Sequence, residues 1–370
     1  MSKPPPPPFK VLRTHNVQIN TIYFSHDNEY LVAGDSFGRV SIISTRTFRP
    51  IADWNAHMDS VLGAQEWNGQ IITHGRDNKL HFWRLTPAAP LLADAAGTPN
   101  LSTPTLASSM DVNALNYCRF SLYPTQLDPP RALLALPNLI ESELIDVWEL
   151  PGKNRLHAAV GTIKGIVMSL HISQTEIYMR ILAAYESGTV TLWTRPLSES
   201  SRSIEGNGWT SIWSVKNHLE AVMSTAVTCD NIMAASVSAD HLICRYDLSP
   251  ELDADSARLT PHETKHLGNS AVGFRPDGRV LGVAGWDGAI RLYSTGLRQI
   301  RGLGTLRHFK ESCFAMAFAN EVLEDAASPR SIEGEDKSSL EALKARSRWL
   351  AVGGKAGRVA IWELDSFEKQ

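Results

Sequence analysis

Seven similar units of alternating apolar and polar residues recur along the chain. Each begins with an apolar segment and small residues, passes through a tight turn and ends in a segment such as GRVSI, GTVTLW or GAIRLY. A period of two is typical of a β-strand that buries one face, so each unit predicts two strands joined by a turn. The units are LVAGDSFGRVSIIS (31–44), IITHGRDNKLHFWR (71–84), ALPNLIESELIDVWE (135–149), ILAAYESGTVTLWT (181–194), MAASVSADHLICRYD (233–247), LGVAGWDGAIRLYS (281–294) and LAVGGKAGRVAIWE (350–363).

The spacing of these units indicates the architecture. A repeat of ~40–45 residues built from four short strands is typical of a WD40 blade. Several intervals have about this length, and the longer ones leave room for insertions. We therefore predict an all-β protein, a seven-bladed WD40 β-propeller over residues 9–370. The residues that close the units are Ile43, Trp83, Trp148, Trp193, Tyr246, Tyr293 and Trp362.

Three segments of biased composition interrupt the repeat and predict insertions. They lie near 86–110, 195–208 and 320–347 and are rich in small, polar or charged residues. The sequence SSLEALKAR in the last one has a capping serine and good helix formers, which predicts a short helix. Before the first unit, five consecutive prolines predict a proline-rich disordered tail over residues 1–8.

The two ends of the chain are expected to meet in one blade. The sequence stops soon after Trp362, before an outer strand of the last blade could form. The segment FKVLRTH (9–15) resembles the strands that precede other units. We therefore predict that an N-terminal strand completes the last blade and closes the propeller, which leaves no open sheet edge at the junction.

Histidines before some units predict a buried hydrogen-bond network in those blades. In WD40 blades such a histidine joins a turn aspartate, a strand serine or threonine and the closing aromatic residue. A His–Asp–Ser set also occurs in hydrolases, but a set that recurs with the repeat favours a structural role. His266 and His308 precede two further units. The predicted networks are His57, Thr73, Asp77 and Trp83 in one unit, and His218, Ser236, Asp240 and Tyr246 in another.

Composition argues against most other classes of function. The 36 Lys and Arg balance 39 Asp and Glu for a net charge of -3, so direct nucleic-acid binding is not expected. The chain contains no run of ~18 apolar residues and no signal-peptide core, which predicts an intracellular protein that does not bind membranes. Four separated cysteines, Cys118, Cys229, Cys244 and Cys313, predict neither a zinc site nor disulfides. Without a phosphate-binding loop or a catalytic motif, we predict no enzyme activity, no cofactor and no metal.

One position in each turn is a candidate for binding partners. It lies just before the turn aspartate, where loops of a propeller gather. Trp286 and Arg76 stand out, because Trp and Arg dominate the energetics of protein interfaces. The alternative is that Trp286 lies flat on the next blade and Arg76 is merely solvated. The candidate partner-binding rim is Arg76, Glu186, Trp286 and Lys355, and Ser36, Glu141 and Ala239 occupy the same row.

Four ordered motifs carry a family resemblance. HGRDNKLHFW (74–83), LAAYESGTVTLW (182–193), AGWDGAIRLY (284–293) and GGKAGRVAIW (353–362), after the opening PPFKVLRTHNVQINTIYF, resemble the fungal ASTRA-associated protein 1 family. The animal relative of that family is called G-protein β-subunit-like protein 1. The third unit lacks the turn aspartate of a WD40 blade. The resemblance extends over nearly the whole chain apart from the insertions.

The resemblance implies a function that the residues alone do not. It implies a non-catalytic scaffold subunit of the ASTRA complex, linked to chromatin remodelling and to the maturation of phosphatidylinositol-3-kinase-related kinases. The implied partners are Tel- and Tti-type helical-repeat co-chaperone subunits, RuvB-like AAA+ ATPases and kinase-related subunits. The expected location is the nucleus, with the cytoplasm as a second one. The alternative is a reader of histone tails or other peptides, which an aromatic cage or acidic pocket at the central channel would favour.

Overall fold

Seven four-stranded antiparallel sheets make up the protein in a computed structural model. The structure describes residues 5–85, 101–125, 127–199, 202–249, 259–296, 299–321 and 337–364. Each sheet is one blade, and the inner strands of consecutive blades follow one another around a central channel. The predicted all-β, seven-bladed propeller is therefore confirmed.

Blades 1 to 4 occupy the first part of the chain, and their strands run from the inner to the outer position in chain order. Blade 1 contains β2 (Ile19–Phe24), β3 (Tyr30–Asp35), β4 (Arg39–Ser44) and β5 (Pro50–Asn55). Blade 2 contains β6 (Val61–Trp67), β7 (Gln70–Gly75), β8 (Lys79–Arg84) and β9 (Thr105–Asp111). Blade 3 contains β10 (Ser121–Thr125), β11 (Arg131–Pro137), β12 (Ile145–Leu150) and β13 (Asn154–Val160). Blade 4 contains β14 (Val167–Gln174), β15 (Tyr178–Tyr185), β16 (Thr189–Pro196) and β17 (Thr210–Lys216).

Blades 5 to 7 follow the same order, except that the last blade takes its outer strand from the start of the chain. Blade 5 contains β18 (Val222–Val227), β19 (Met233–Ser238), β20 (Leu242–Asp247) and the short β21 (His262–Glu263). Blade 6 contains β22 (Asn269–Phe274), β23 (Val280–Gly285), β24 (Ala289–Ser294) and β25 (Arg301–Arg307). Blade 7 contains β26 (Cys313–Phe318), β27 (Trp349–Gly354), β28 (Val359–Glu363) and β1 (Lys10–Leu12).

The predicted closure by the N-terminal strand is confirmed. Strand β1 pairs antiparallel with β28, with Val11 opposite Ala360, and the backbone N–H of Phe9 donates to the carbonyl of Ile361 at 3.0 Å. The indole of Trp362 donates to the carbonyl of Pro6 at 3.1 Å. The predicted disordered tail over 1–8 is therefore too long, because its second half is attached to blade 7. Residues 1–4 lie outside the described residues.

The hydrophobic core lies between the blades. Alternation along each strand places one apolar face against each neighbouring sheet, so every blade packs on two others. Val32 and Ile42 of blade 1, for example, form one cluster with Val61 and Ile71 of blade 2. Leu12 and Ile361 of blade 7 form another cluster with residues of blade 1. The ring is therefore continuous across the junction of the two chain ends.

The insertions differ from the prediction in their boundaries and contacts. The segment 86–110 was predicted as an insertion, but its last part belongs to β9, and only 86–100 lies outside the described residues. Ser102 of this segment donates its backbone N–H to the carbonyl of Ile51 in blade 1 at 3.2 Å. In 195–208, Ser203 lies beside His157 of blade 3, with 2.9 Å between the side chains. Both segments therefore contact the outer strand of the preceding blade.

The third insertion contains the predicted helix. Residues 322–336 lie outside the described residues, and α1 spans Lys337–Arg346. Its last residue, Arg346, is buried and donates to Glu29 at 3.0 Å and to Thr45 at 3.2 Å, so the helix end is fixed to blade 1. In the part of the chain that the structure covers, no helix has the length and apolar character needed to cross a bilayer.

Candidate protein-interaction face

Two kinds of loop form the face that we call the upper face. One kind joins the second and third strands within a blade, and the other joins the outer strand of a blade to the inner strand of the next. The two kinds alternate around the ring. Backbone hydrogen bonds connect them, so the face is ordered and its side chains project from fixed positions.

The four residues of the predicted rim occupy equivalent positions on this face. Each donates its backbone N–H to a carbonyl of the adjacent inter-blade loop. The donors are Arg76 to Ser60 at 2.8 Å, Glu186 to Ile166 at 2.9 Å, Trp286 to Gly268 at 3.0 Å and Lys355 to Ser312 at 2.9 Å. Because these residues belong to blades 2, 4, 6 and 7, they share the upper face but do not form one cluster.

The side chains of Trp286 and Arg76 pack on neighbouring residues of the upper face. The ring of Trp286 lies against Gly268, where an added Cβ would be 2.2 Å from a ring carbon, and the side chain stays 41% exposed. The guanidinium of Arg76 lies over the ring of Tyr117, 4.7 Å from its centre. The Trp286 ring therefore packs on the loop that precedes its own blade, not flat on the next blade, and one side of the ring remains open.

Glu186 and Lys355 are two charged residues of the rim and, like Arg76, they are exposed. The Lys355 ammonium lies 3.8 Å from the Glu311 carboxylate, a solvent-exposed pair that contributes little to stability. Among the described residues Glu186 has no ion-pair partner. The two side chains therefore remain available for charge complementarity with a partner.

Exposed apolar side chains concentrate on the upper face, which sequence reasoning did not predict. An apolar residue in a turn has no periodicity that marks it as exposed, so only the assembled ring reveals the group. Monomeric proteins rarely expose such a concentration unless it binds something. The residues are Phe37, Met58, Leu115, Tyr117, Leu139, Ile140, Ile163, Leu219, Leu267 and Trp286.

The structure joins the four residues of the network predicted in blade 2. His57 bonds through Nδ1 to Asp77 at 2.9 Å and through Nε2 to Thr73 at 2.8 Å. The indole of Trp83 donates to the hydroxyl of Thr73 at 2.8 Å. Burial lowers the pKa of His57 even though Asp77 opposes the shift. This network connects an upper-face loop to the interior of the blade.

The same arrangement is present in blade 5. His218 bonds to Asp240 at 2.9 Å and to Ser236 at 2.7 Å, and Ser236 lies 3.0 Å from the hydroxyl of Tyr246. Burial alone would raise the pKa of the Asp240 carboxyl, but hydrogen bonds from His218 and from backbone N–H groups outweigh it and lower that pKa. The network holds the turn beside Ala239.

Sequence reasoning missed a third histidine network, in blade 1. His15 bonds to Asp35 at 2.7 Å and to Ser41 at 2.8 Å, and all three residues are buried. The blade closes on Ile43, and its aspartate precedes the usual turn position, so the motif is shifted. The position of His15, just after the first strand, was the feature of the sequence that could have indicated this network.

The other two histidines form no comparable network. His266 is exposed and lies 3.8 Å from Asp287, whose carboxylate also pairs with Arg291. His308 is exposed beside the ring of Trp362, in a blade that has Val352 where Thr73 stands in blade 2. Since Val352 offers no hydroxyl, the Trp362 indole bonds to the N-terminal segment instead.

One group of metal-type side chains belongs to the blade 2 network. The ligand atoms of His57, Asp77 and His81 lie within 4.8 Å of one another. Both ring nitrogens of His57 are already bonded, and the rings of His57 and His81 are stacked with their centres 4.7 Å apart. Stacked rings do not direct their lone pairs at one point, so the geometry fits a structural network rather than a metal site.

Arg119 is a charged side chain that reaches from blade 3 to blade 1 at the central channel. It precedes the inner strand of blade 3 and donates to the carbonyl of Asn20 on the inner strand of blade 1. A cation therefore lies in the channel at the height of Asn20.

Changing Asp77 to Ala is expected to lower the free energy of unfolding by about 1–3 kcal/mol. The carboxylate accepts hydrogen bonds from His57 and from the backbone N–H of Met58 at 3.0 Å, and both donors would lose their partner. Urea unfolding followed by tryptophan fluorescence measures the difference. The control is Glu176→Ala, at an exposed position, and an equal midpoint for Asp77→Ala and this control would contradict the role of the network.

Comparisons with known proteins agree with the fold and indicate a family. The family model described as WD domain, G-beta repeat matches residues 7–40. A protein called ASTRA-associated protein 1 from Verticillium alfalfae is 31% identical, over 97% of this chain and 93% of its own. Proteins of the same name from Pyricularia oryzae and Schizosaccharomyces pombe are 27% and 29% identical, over 97% and 85% of this chain and 97% and 93% of their own.

Proposed function

Because this chain belongs to the ASTRA-associated protein 1 family, we propose that it is a non-catalytic scaffold subunit of the ASTRA complex. The name of the relatives associates them with ASTRA, and a propeller offers broad surfaces on which other subunits can assemble. None of the three His–Asp networks described in blades 1, 2 and 5 leaves a histidine nitrogen free to act as a base, because each ring is bonded on both sides. The proposed role is therefore binding rather than catalysis.

The observation that carries this proposal is the ring of exposed apolar side chains on the upper face. Their exposure costs free energy in the isolated protein, and a partner that covers them recovers it. Charged rim residues such as Glu186 and Lys355 lie between them. Protein interfaces typically combine apolar side chains with polar and charged residues.

The proposed assembly has a cellular context that rests on the family resemblance. In this proposal the complex acts in chromatin remodelling and in the maturation of phosphatidylinositol-3-kinase-related kinases. The protein is located in the nucleus and also in the cytoplasm. The proposed partners are Tel- and Tti-type helical-repeat subunits, RuvB-like AAA+ ATPases and kinase-related subunits. Large partners of this kind suit a broad face better than a narrow channel.

A histone-tail reader that uses the central channel is less well supported. Histone tails are basic, and the channel of this protein contains the Arg119 guanidinium. The positive charge of this guanidinium repels the lysines and arginines of such a tail. The upper face, not the channel, is therefore the surface on which the proposed function depends.

Affinity purification of the tagged protein from its own organism, with mass spectrometry, tests this proposal. We expect the parent to recover subunits of the three partner classes, and Arg76→Glu/Trp286→Ala to recover at least ten-fold less of them. Equal recovery with this variant would retain the scaffold but move its interface away from these two residues. Recovery of histones alone, without any of the three classes, would contradict the scaffold role.

A further inference from the structure

Five consecutive loops form one continuous sector of the upper face over blades 3 to 5. They are residues 112–118, 138–144, 161–166, 186–188 and 217–221, which we call the acidic apolar patch. Hydrogen bonds connect these loops, either directly or through Val167 at the start of β14. Asn113 donates to the carbonyl of Asn138 at 2.8 Å, Val167 donates to the carbonyl of Ser142 at 3.0 Å, and Asn116 donates to the carbonyl of Val167.

The later loops of the patch are joined in the same way. Glu186 donates its N–H to Ile166 at 2.9 Å, and His218 donates its N–H to Gly188 at 3.3 Å. Gly188 has a φ of 82° and lies so close to the next loop that an added Cβ would be 2.3 Å from the carbonyl oxygen of His218. The patch is therefore rigid, and a partner would meet side chains that are already in place.

The apolar part of the patch is strongly exposed. Ile140 and Ile163 each keep 82% of their surface accessible, and Leu115 and Leu219 each keep 74%. The backbone N–H of Ile140 donates to the side chain of Asn138 at 3.0 Å, which fixes the turn that holds the isoleucine outward. Neither of the two isoleucines packs into a core cluster of the described residues.

The charged part of the patch is acidic and unpaired. Glu141, Glu186 and Glu220 are exposed, and none has an ion-pair partner within the described ranges. The patch does contain one cation, Lys164, but its ammonium donates to Ser214 at 2.8 Å and lies 5.6 Å from the centre of the Trp193 ring. With Glu143, the patch has four glutamates against this one lysine, so it keeps a net negative charge.

We propose that the acidic apolar patch binds an amphipathic helix of a partner protein whose polar face is rich in lysine and arginine. This inference rests on the proposed scaffold function and identifies the chemistry of one partner. Aliphatic residues of the helix cover Ile140, Ile163 and Leu219, and its cations lie against Glu186 and Glu220. Such a helix matches the patch in both hydrophobicity and charge.

A helix fits this patch better than an extended segment because of the backbone. An extended peptide needs N–H and C=O partners from the surface on which it lies. In the patch these groups are already used, as for Glu186 with Ile166 and for Leu219, which donates to Asp240 at 3.1 Å. A helix satisfies its own backbone, so side chains alone can supply the contact.

The probe is an 18-residue peptide of leucine and lysine with leucine at helical spacing, tested by fluorescence anisotropy on the full-length protein. We expect Ile140→Ser/Glu186→Lys to weaken its binding at least ten-fold relative to the parent. The matched control is Ile177→Ser/Glu176→Lys, which makes the same changes in the loop between β14 and β15, outside the patch. This control is expected to bind as the parent does, and circular dichroism checks that all three proteins are folded.

Two further peptides test the chemistry of the ligand. A peptide with glutamate in place of lysine is expected to lose binding because the patch is acidic. A scrambled leucine–lysine peptide, which keeps the charge but not the apolar stripe, is expected to bind at least ten-fold more weakly. If the scrambled peptide binds as tightly as the helical one, the proposal is overturned in favour of a site for any basic segment. If the helical peptide binds the patch variant and the control variant equally, its binding site does not lie on the acidic apolar patch.

Purification from the organism separates this inference from the proposed function. If Ile140→Ser/Glu186→Lys loses a subunit that the parent and the control recover, the patch is the docking site within the complex. If all three proteins recover the same subunits, the scaffold function stands and the patch inference fails. If the parent recovers none of the subunits, the proposed function fails, whatever the peptides show.

Discussion

Removal of residues 1–12 is expected to unfold blade 7 and to lower the free energy of unfolding by at least about 3 kcal/mol. The deletion takes away β1, which pairs with β28 along Lys10–Leu12, and exposes the outer edge of β28. It also removes Leu12, which is buried in the cluster between blades 7 and 1. Loss of one buried leucine side chain costs about 2–5 kcal/mol in other proteins, before any pairing is counted.

Two further contacts depend on the same segment. The ring of Phe9 lies 4.9 Å from the ring of Trp349, and the buried indole of Trp362 would lose its acceptor, the Pro6 carbonyl. An indole N–H without a partner in the core costs about 1–3 kcal/mol. The effect of the deletion is therefore expected to exceed that of Leu12→Ala alone.

Thermal and urea unfolding of three proteins measure this effect. Deletion of residues 1–4, which keeps Pro6 and β1, is the matched control and is expected to unfold as the parent does. Leu12→Ala is expected to fall between that control and the full deletion. A full deletion as stable as the control would show that the ring does not depend on this closure.

Closure and repeat number could be predicted because their signal is local. Each unit carries its alternation and its turn within about fifteen residues, and the missing outer strand follows from comparing the first unit with the last. The strand β9 was assigned to an insertion for the opposite reason. Its side chains are mostly exposed, so TLASSMD has no apolar alternation to mark it.

The candidate site was predictable only in part. The rim positions follow from the repeat, because equivalent turns must lie on the same face of a propeller. The acidic apolar patch does not follow, because its residues come from five loops that are separate in sequence. Whether Ile140 or Ile163 is exposed depends on how neighbouring blades pack, and no periodicity in either loop indicates it.

His74 shows the same limit for a buried residue. In the sequence it stands in an alternating strand, where an imidazole could face solvent or the core. In the structure it is completely buried in β7 between blades 2 and 3, with the ring of Phe120 at 6.3 Å. Neither ring nitrogen has a hydrogen-bond partner among the described residues.

Burial, with a smaller contribution from the nearby imidazole of His57, lowers the pKa of His74 to about 3, although Asp77 opposes the shift. The folded protein therefore keeps His74 neutral at a pH where the unfolded chain, with a histidine pKa of about 6.5, binds a proton. Because only the unfolded state takes up this proton, the contribution of His74 to the free energy of unfolding is fully present above pH 6.5 and decreases as the pH falls below it.

The expected loss from this one residue is about 2 kcal/mol at pH 5 and about 3 kcal/mol at pH 4, relative to pH 7.5. His74→Leu removes the titrating group and keeps a side chain of similar size. Its free energy of unfolding is expected to equal or exceed that of the parent at pH 7.5, since leucine has no polar atom to bury unpaired. The difference in free energy of unfolding between this variant and the parent should then grow by about 2 kcal/mol at pH 5 and about 3 kcal/mol at pH 4.

Urea unfolding at several pH values between 4 and 7.5 measures this dependence. His26→Leu, which removes an exposed histidine, is the matched control and is expected to keep the slope of the parent. The blade 2 network contributes in the same direction, because burial also lowers the pKa of His57, so the His74 variant should flatten the slope without abolishing it. If the slopes of the parent and His74→Leu coincide, His74 does not remain neutral in the folded protein, and its burial in β7 is incomplete in solution.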